Sequence, residues 1–317
     1  MFQQFVRNSV LLGLFICFVR GVQAEEPILL KYQLEKGSKL INLHKSVNKT
    51  TQTINGNNME TEINQDTVDI RTIDELDSQG VGKIKTKTER LSSSVKIAGL
   101  GDYAFSSQKP DRDKSSILGA ALTPLYERLV GSELQYEVSP LGKVKNFSGY
   151  AQLVGDLVKA NPLTSRFAGG GTDNAAQLGA QGQWVVFSEK PVKPGEKWDN
   201  PFEAEMPGLG TMKGKETITF LAIEQREGHS IAKLSISNDV SFDLNIEMGG
   251  AKVTGKVTTS NSEGSAEFDI TAGKLLSQKS KLTLAGQLSV DANGATIPVQ
   301  ISQTIGSETT AVDKLPE

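Results

Sequence analysis

Two histidines, His44 and His229, are the only imidazoles in the chain, and any histidine-based metal site or nucleophile–base pair would have to be built around them. Such metal sites need clustered nitrogen, sulfur or carboxylate ligands at defined spacings. His44 lies between Leu43 and Lys45 and His229 between Gly228 and Ser230, so neither has that company and no metal site is expected. A serine triad assembles only in space, but the strained Gly-x-Ser-x-Gly elbow does not occur. Ser46-Val-Asn-Lys49 and Ser93-Ser-Val-Lys96 are isolated Ser-x-x-Lys matches without the companion motifs of that acylating chemistry. Acidic side chains are scattered throughout, and nothing selects one pair for acid–base work.

Two glycine motifs call for phosphate chemistry and fail on context. Gly250-Ala-Lys-Val-Thr-Gly255-Lys256 has the spacing of a loop whose amides and lysine cradle phosphates ahead of a helix. Val257 stands where Ser or Thr would hold magnesium, and the segment alternates like a strand. Gly99-Leu-Gly101-Asp-Tyr-Ala104 has the outline of a dinucleotide fingerprint, which requires a helix to begin there. The chain continues Phe105-Ser-Ser-Gln-Lys-Pro110, so a plain glycine turn within a loop over 99–114 is expected. Lys83, Lys85 and Lys87 line one strand face and are read as a charged edge defended against aggregation. No catalytic, cofactor-binding or metal-binding residue is assigned, no ligand-binding residue can be named, and no cofactor is expected.

The elements around these residues are mostly strands. Apolar and polar residues alternate with period two at Ile28, Leu30, Tyr32 and Leu34, then over about 40–54, 59–73 and 81–97, with Asn55-Gly56-Asn57 as a hairpin turn. Leu118, Leu122, Leu125 and Leu129 recur at helical spacing, predicting a helix over about 116–130, with Pro124 as a kink or a fresh start. A hairpin follows around Ser139-Pro140-Leu141-Gly142, then a short helix over about 150–159. Residues 166–183 are Gly, Ala and polar without a core pattern, and they read as a mobile linker or lid. Alternation returns at Thr217 and is longest over Val240, Phe242, Leu244, Ile246 and Met248. Further strands are expected over about 252–259, 265–271, 274–285 and 296–305.

Composition bounds where such a chain works. Arg7, the apolar run Val10 to Val19 and Val22-Gln23-Ala24 follow the order of a secretory signal with cleavage after Ala24. That run is about half of the ~20 apolar residues that a membrane-spanning helix needs, and no later segment is long enough. Removing 1–24 takes away Arg7 and Arg20 and no acid, leaving 32 basic side chains against 37 acidic ones. A chain so balanced lacks the basic excess that nucleic-acid backbones demand, so nucleic acid is excluded as an expected partner. The one cysteine, Cys17, falls in the signal, so the fold must rest on packing alone.

These readings give a mainly β (α+β) fold, in which long antiparallel strands form one or two curved sheets or half-barrels covered by two or three short helices. The expected divisions are a signal peptide at 1–24, an N-terminal β-rich unit at 25–162, a linker or lid region at 163–213, a C-terminal antiparallel β unit at 214–305 and a flexible tail at 306–317. Tyr136-Glu-Val-Ser-Pro-Leu-Gly-Lys-Val144 and Phe268-Asp-Ile-Thr-Ala-Gly-Lys-Leu275 are alike, which leaves open one β domain or two duplicated units.

Pro194-Gly195-Glu196-Lys197-Trp198, Gly264-Ser-Ala-Glu-Phe268-Asp269-Ile-Thr-Ala-Gly273-Lys-Leu275, and Pro124-Leu125 with Leu141-Gly142-Lys143-Val144 and Gly149 resemble a family of exported bacterial proteins that carry a domain of unknown function. The resemblance implies an extracytoplasmic β-rich protein and carries no activity or catalytic residue. At the level of architecture the chain is also similar to the envelope lipoprotein carriers, whose half-barrel is closed by helices around an apolar cavity; this is analogy. The functional expectation is a non-enzymatic envelope protein, periplasmic or extracellular, that binds or carries an apolar small molecule or lipid. The alternative is an interaction or scaffold protein with a filled core and an envelope protein as partner.

Overall fold

The computed structural model describes residues 26–168, 171–206, 210–248, 251–292 and 294–316; the expected signal peptide at 1–24 lies outside them. Twelve antiparallel strands form one sheet. The first half supplies β1 (Lys39–Ile54), β2 (Asn57–Leu76), β3 (Gly82–Ile97), β4 (Gly101–Ser106), β5 (Glu133–Val138) and β6 (Val144–Ser148). The second half supplies β7 (Lys197–Met206), β8 (Gly210–Arg226), β9 (His229–Met248), β10 (Ala251–Asp269), β11 (Lys274–Ala292) and β12 (Ala295–Val312). The order across the sheet is β6-β5-β3-β2-β1-β12-β11-β10-β9-β8-β7, with β4 pairing the far end of β3. β1 pairs β12 over its length, so the strands of the two expected β units share one sheet.

The sheet rolls on itself without closing. Cross-strand partners point to the same side, and the inner side is identified by a shared core. Ile73, Ile84, Tyr136 and Val138 from one flank and Ile218, Phe220, Leu234 and Phe268 from the other belong to one buried cluster. Strands so far apart in the order can share a core only across a concave face. A strap at 26–35 and the segment 184–192 fill the space between the flanks with Leu30, Tyr32, Trp184, Val185 and Phe187.

The two similar hairpin turns clamp that strap from opposite sides. Tyr32 N donates to Pro140 O at 2.7 Å and Gln33 N to Gly273 O at 3.0 Å. Both turns use glycine at positive φ, Gly142 at 83° and Gly273 at 62°. A Cβ at Gly142 would lie 2.2 Å from Val185 O, and one at Gly273 would lie 2.5 Å from Gln33 N, so a side chain at Gly142 would push away the segment 184–192 and one at Gly273 the strap. The residues Leu30 and Tyr32 that alternate in sequence therefore face inward, but the strap joins no ladder beyond one bridge from Ile28 to Val192.

Helices cover the concave side. α1 (Ile117–Leu129) begins at Ser116, whose hydroxyl accepts from Gly119 N at 2.9 Å. It buries Leu118, Ala121, Leu122 and Leu125 against Leu91, Val95, Tyr103 and Phe105. Pro124 lies inside α1 and removes one helical hydrogen bond without ending the helix. α2 (Tyr150–Ala160), α3 (Pro162–Phe167) and α4 (Asp173–Gln181) follow.

Four expectations differ from the structure. Residues 101–106, read as loop, form β4, because Tyr103 and Phe105 alternate just long enough to sit beneath α1. The lysines at 83, 85 and 87 do not defend an edge: β3 lies between β2 and β5, and Lys85 pairs with Asp74 at 2.9 Å and Lys87 with Glu89 at 3.0 Å on the outer face. Within 163–213, read as a linker or lid, the chain forms α3, α4, β7 and the start of β8, and the glutamines of α4 replace a strand partner at the edge of β6. Gln181 Oε1 accepts from Val144 N at 2.8 Å and its amide donates to Gly142 O at 2.9 Å. Finally, 306–312 continue β12 between β11 and β1, where Thr309 is buried.

Candidate functional site

At the end of the sheet away from the strap, the inner face of β8 to β12 remains apolar and is mostly half-buried, with Val257 and Val299 buried. Three rows of side chains cross it. Met212 faces Phe242, which faces Val257. Leu244 faces Gly255, followed by Leu288 and Val299. Ile246 faces Val253, followed by Val290 and Ile297. The alternate residues Asp243, Asn245, Glu247, Lys252, Thr254 and Lys256 point to the opposite, solvent side. The glycine-lysine motif at 255–256 is thus part of this wall, since β10 runs straight through it and no helix starts there.

Met212 also borders a cavity of about 800 Å³ between β7, β8 and the segment 178–190. Trp184, Phe187, Trp198 and Phe202 give it an apolar lining. The indole of Trp198 and the amide of Asn200 both donate to Val186 O, at 2.8 and 2.9 Å, which fixes the wall. Three carboxyl side chains line it: Glu189 and Asp199 are exposed, and Glu216 is the more buried one. Glu216 accepts from Asn200 Nδ2 at 3.3 Å, and burial raises its pKa, with the Asn200 hydrogen bond pulling the other way. A cavity of this size falls in the range of about 300–1,000 Å³ that holds small organic ligands.

A second cavity of about 390 Å³ lies under α4, between it and β2, β3 and β5. Its floor carries polar residues, Asp69 and Arg71 among them, and Arg71 stacks over Trp184 with its guanidinium carbon 5.4 Å from the ring centroid.

The two histidines do not meet a catalytic arrangement. His44 is on the inner face of β1, with Nδ1 3.0 Å from Thr309 Oγ1, and burial lowers its pKa. His229 opens β9 and pairs through Nδ1 with Asp269 at 2.7 Å. Asp269 also accepts from Ala272 N at 2.9 Å, which makes this pair part of the hairpin turn. Among the described residues no cluster of three or more His, Cys, Asp or Glu is placed to hold a metal ion. Ser46 lies on β1 and Ser93 on β3, where Ser93 Oγ meets Tyr126 Oη at 3.2 Å. Phe242, Leu244, Ile246, Val253, Val257, Ile297 and Val299 lie in strands expected from alternation, whereas Met212, Leu288 and Val290 lie outside them; what alternation does not show is which part of the face is left uncovered.

No family model matches this chain, and no curated protein matches it. Among solved structures it is similar to lipovitellin, studied for its lipid–protein interactions, at 8% identity and a TM-score of 0.38, covering 90% of this chain and 26% of that one. It is similar to an outer membrane channel from Pseudomonas putida F1 at 6% identity and a TM-score of 0.23, covering 91% and 100%. It is similar to OccK5 from Pseudomonas aeruginosa at 6% identity and a TM-score of 0.20, covering 87% and 98%. The chain spans about a quarter of the lipovitellin chain it matches. Likeness at this level assigns neither family nor function.

Proposed function

We propose that this protein is a non-enzymatic, exported binding or carrier protein of the cell envelope, and that its ligand is an apolar, lipid-type molecule held on the concave face of the sheet. The observation that carries the reading is the set of half-buried apolar rows from Met212 to Ile297, continuous with the cavity of about 800 Å³. Each methylene of a ligand chain moved from water onto such a surface contributes about 0.8 kcal/mol. The polarity supports a carrier over a membrane-spanning barrel. A barrel in lipid turns its apolar side chains outward, whereas β9 and β10 turn theirs inward and show Asp243, Glu247, Lys252 and Lys256 outside.

Native mass spectrometry of protein purified from its own envelope, together with uptake of a fluorescent fatty acid, tests the reading. A copurifying lipid and saturable uptake are expected. Leu244→Glu places a charge in the middle row and is expected to abolish uptake while circular dichroism stays unchanged. A chain that carries no lipid and takes up none overturns the proposal.

A further inference from the structure

The floor beneath α4 carries a cation, Arg71, that borders the cavity there. Arg71 is 4% exposed. Its guanidinium stacks on Trp184 but makes no hydrogen bond or ion pair among the described residues. Burying a charge without hydrogen-bonded compensation is costly, so a cation that borders a cavity and has no protein acceptor is placed to take one from a ligand. Its charged neighbour on the same strand face, Asp69, is otherwise engaged. Asp69 Oδ1 accepts from Thr88 Oγ1 at 2.8 Å and Oδ2 from Thr67 Oγ1 at 3.1 Å. Asn42 is directly opposite Asp69 and therefore diagonal to Arg71 across the β1–β2 ladder. Its Nδ2 is also buried without a partner. Arg71 borders the cavity of about 390 Å³ together with Thr86 and Gln183, and Asn42 lies next to it outside the cavity lining.

We infer that this cavity is a binding site for a monoanionic group of carboxylate type, with Arg71 as its counter-ion. The inference deepens the lipid-binding reading and rests on it for the source of the group, which is the acid end of a lipid. Charge selects the monoanion. Asp69 lies two residues from Arg71 on the same face and cancels much of its field, and His44, on the neighbouring strand, has its proton affinity lowered by burial. A dianion would meet Asp69 with little added attraction. Leu134, Tyr136 and Phe147 form the apolar part of the cavity wall.

The test compares palmitate with hexadecanol, which has a similar chain and no charge, and includes acetate as the free anion, all by calorimetry on the mature chain. Palmitate is expected to bind at least about tenfold more tightly than hexadecanol, from a charge-assisted hydrogen bond. In Arg71→Gln the two affinities should converge through loss of palmitate binding, with hexadecanol unchanged. Equal binding of palmitate and hexadecanol to the unmodified chain overturns the anion site and leaves the lipid reading standing. Acetate binding that Arg71→Gln abolishes, without binding of either chain, supports the site and overturns its lipid source. No binding by any of the three overturns both. The palmitate to hexadecanol ratio of the unmodified chain decides the matter even if Arg71→Gln fails to fold.

Discussion

The strands β8 to β11 pass through two environments along their length. At the strapped end Ile218, Phe220, Leu234 and Phe268 are sealed under Tyr32, Trp184 and Phe187. At the other end Phe242, Leu244, Val253 and Leu288 continue the same face, yet remain only half-buried. Strand chemistry is the same in both, with apolar residues inward and polar residues outward. The difference is supplied by the strap at 26–35 and by segment 184–192, which reach one end and not the other. Amphipathic alternation therefore specifies which face turns inward, and only the covering segments decide whether that face becomes core or binding surface.

Paired truncations should separate the two ends most sharply. Phe268→Ala removes a fully buried ring that packs on Tyr32 and Phe187, with centroids 5.2 and 4.6 Å away. It is expected to cost about 3–5 kcal/mol in urea unfolding. Leu244→Ala on the open end should cost about 1 kcal/mol, because only part of the side chain is removed from water. Equal losses would mean that the open end is filled in solution. A smaller effect tests the strap itself. Tyr32 Oη accepts from Val185 N at 3.0 Å in the sealed core. Tyr32→Phe leaves that amide without a partner and should cost about 1–3 kcal/mol while the ring stays packed. No loss would indicate that the strap is not docked.

Much of the sheet was legible because long strands write their two faces into the sequence. The turns Asn55-Gly56 and Glu227-Gly228, with Asn55 at φ 50° and Glu227 at φ 52°, fall between runs that alternate cleanly. The strap was legible as alternation and illegible as to role. Its hydrogen bonds go to Pro140, Gly273 and Val192, contacts far away in sequence that no local pattern records. β4 was hidden by its length and by flanking glycines, and α4 by its use of Gln177 and Gln181 as anchors instead of an apolar stripe. The strand at 306–312 was hidden because Ser307 and Thr309 are polar, yet they hydrogen-bond to Ser280 and His44 across the inner face. Arg71 offered no signal at all: a cation on a strand reads as a solvent-facing residue until the cover above it is known.

The subtlest contrast lies in the wall of the larger cavity, where Glu216 interrupts an apolar lining. Its pKa is raised in the folded chain, chiefly by burial. A carboxyl with a raised folded pKa adds stability that is fully present below its unfolded value and is lost as the pH rises through the folded value. Glu216→Gln keeps an amide oxygen to accept from Asn200 and removes the ionisation. The variant should match the unmodified chain near pH 4 in thermal unfolding and exceed it near pH 8, the gap opening above the ordinary carboxylate range of about 4.3. A ligand chain seated in the cavity would dry Glu216 further and widen that gap, which would go on growing to higher pH before levelling off. A variant that tracks the unmodified chain at every pH would show that water reaches Glu216 freely, and would make the cavity wall resemble the open end of the trough more than the sealed one.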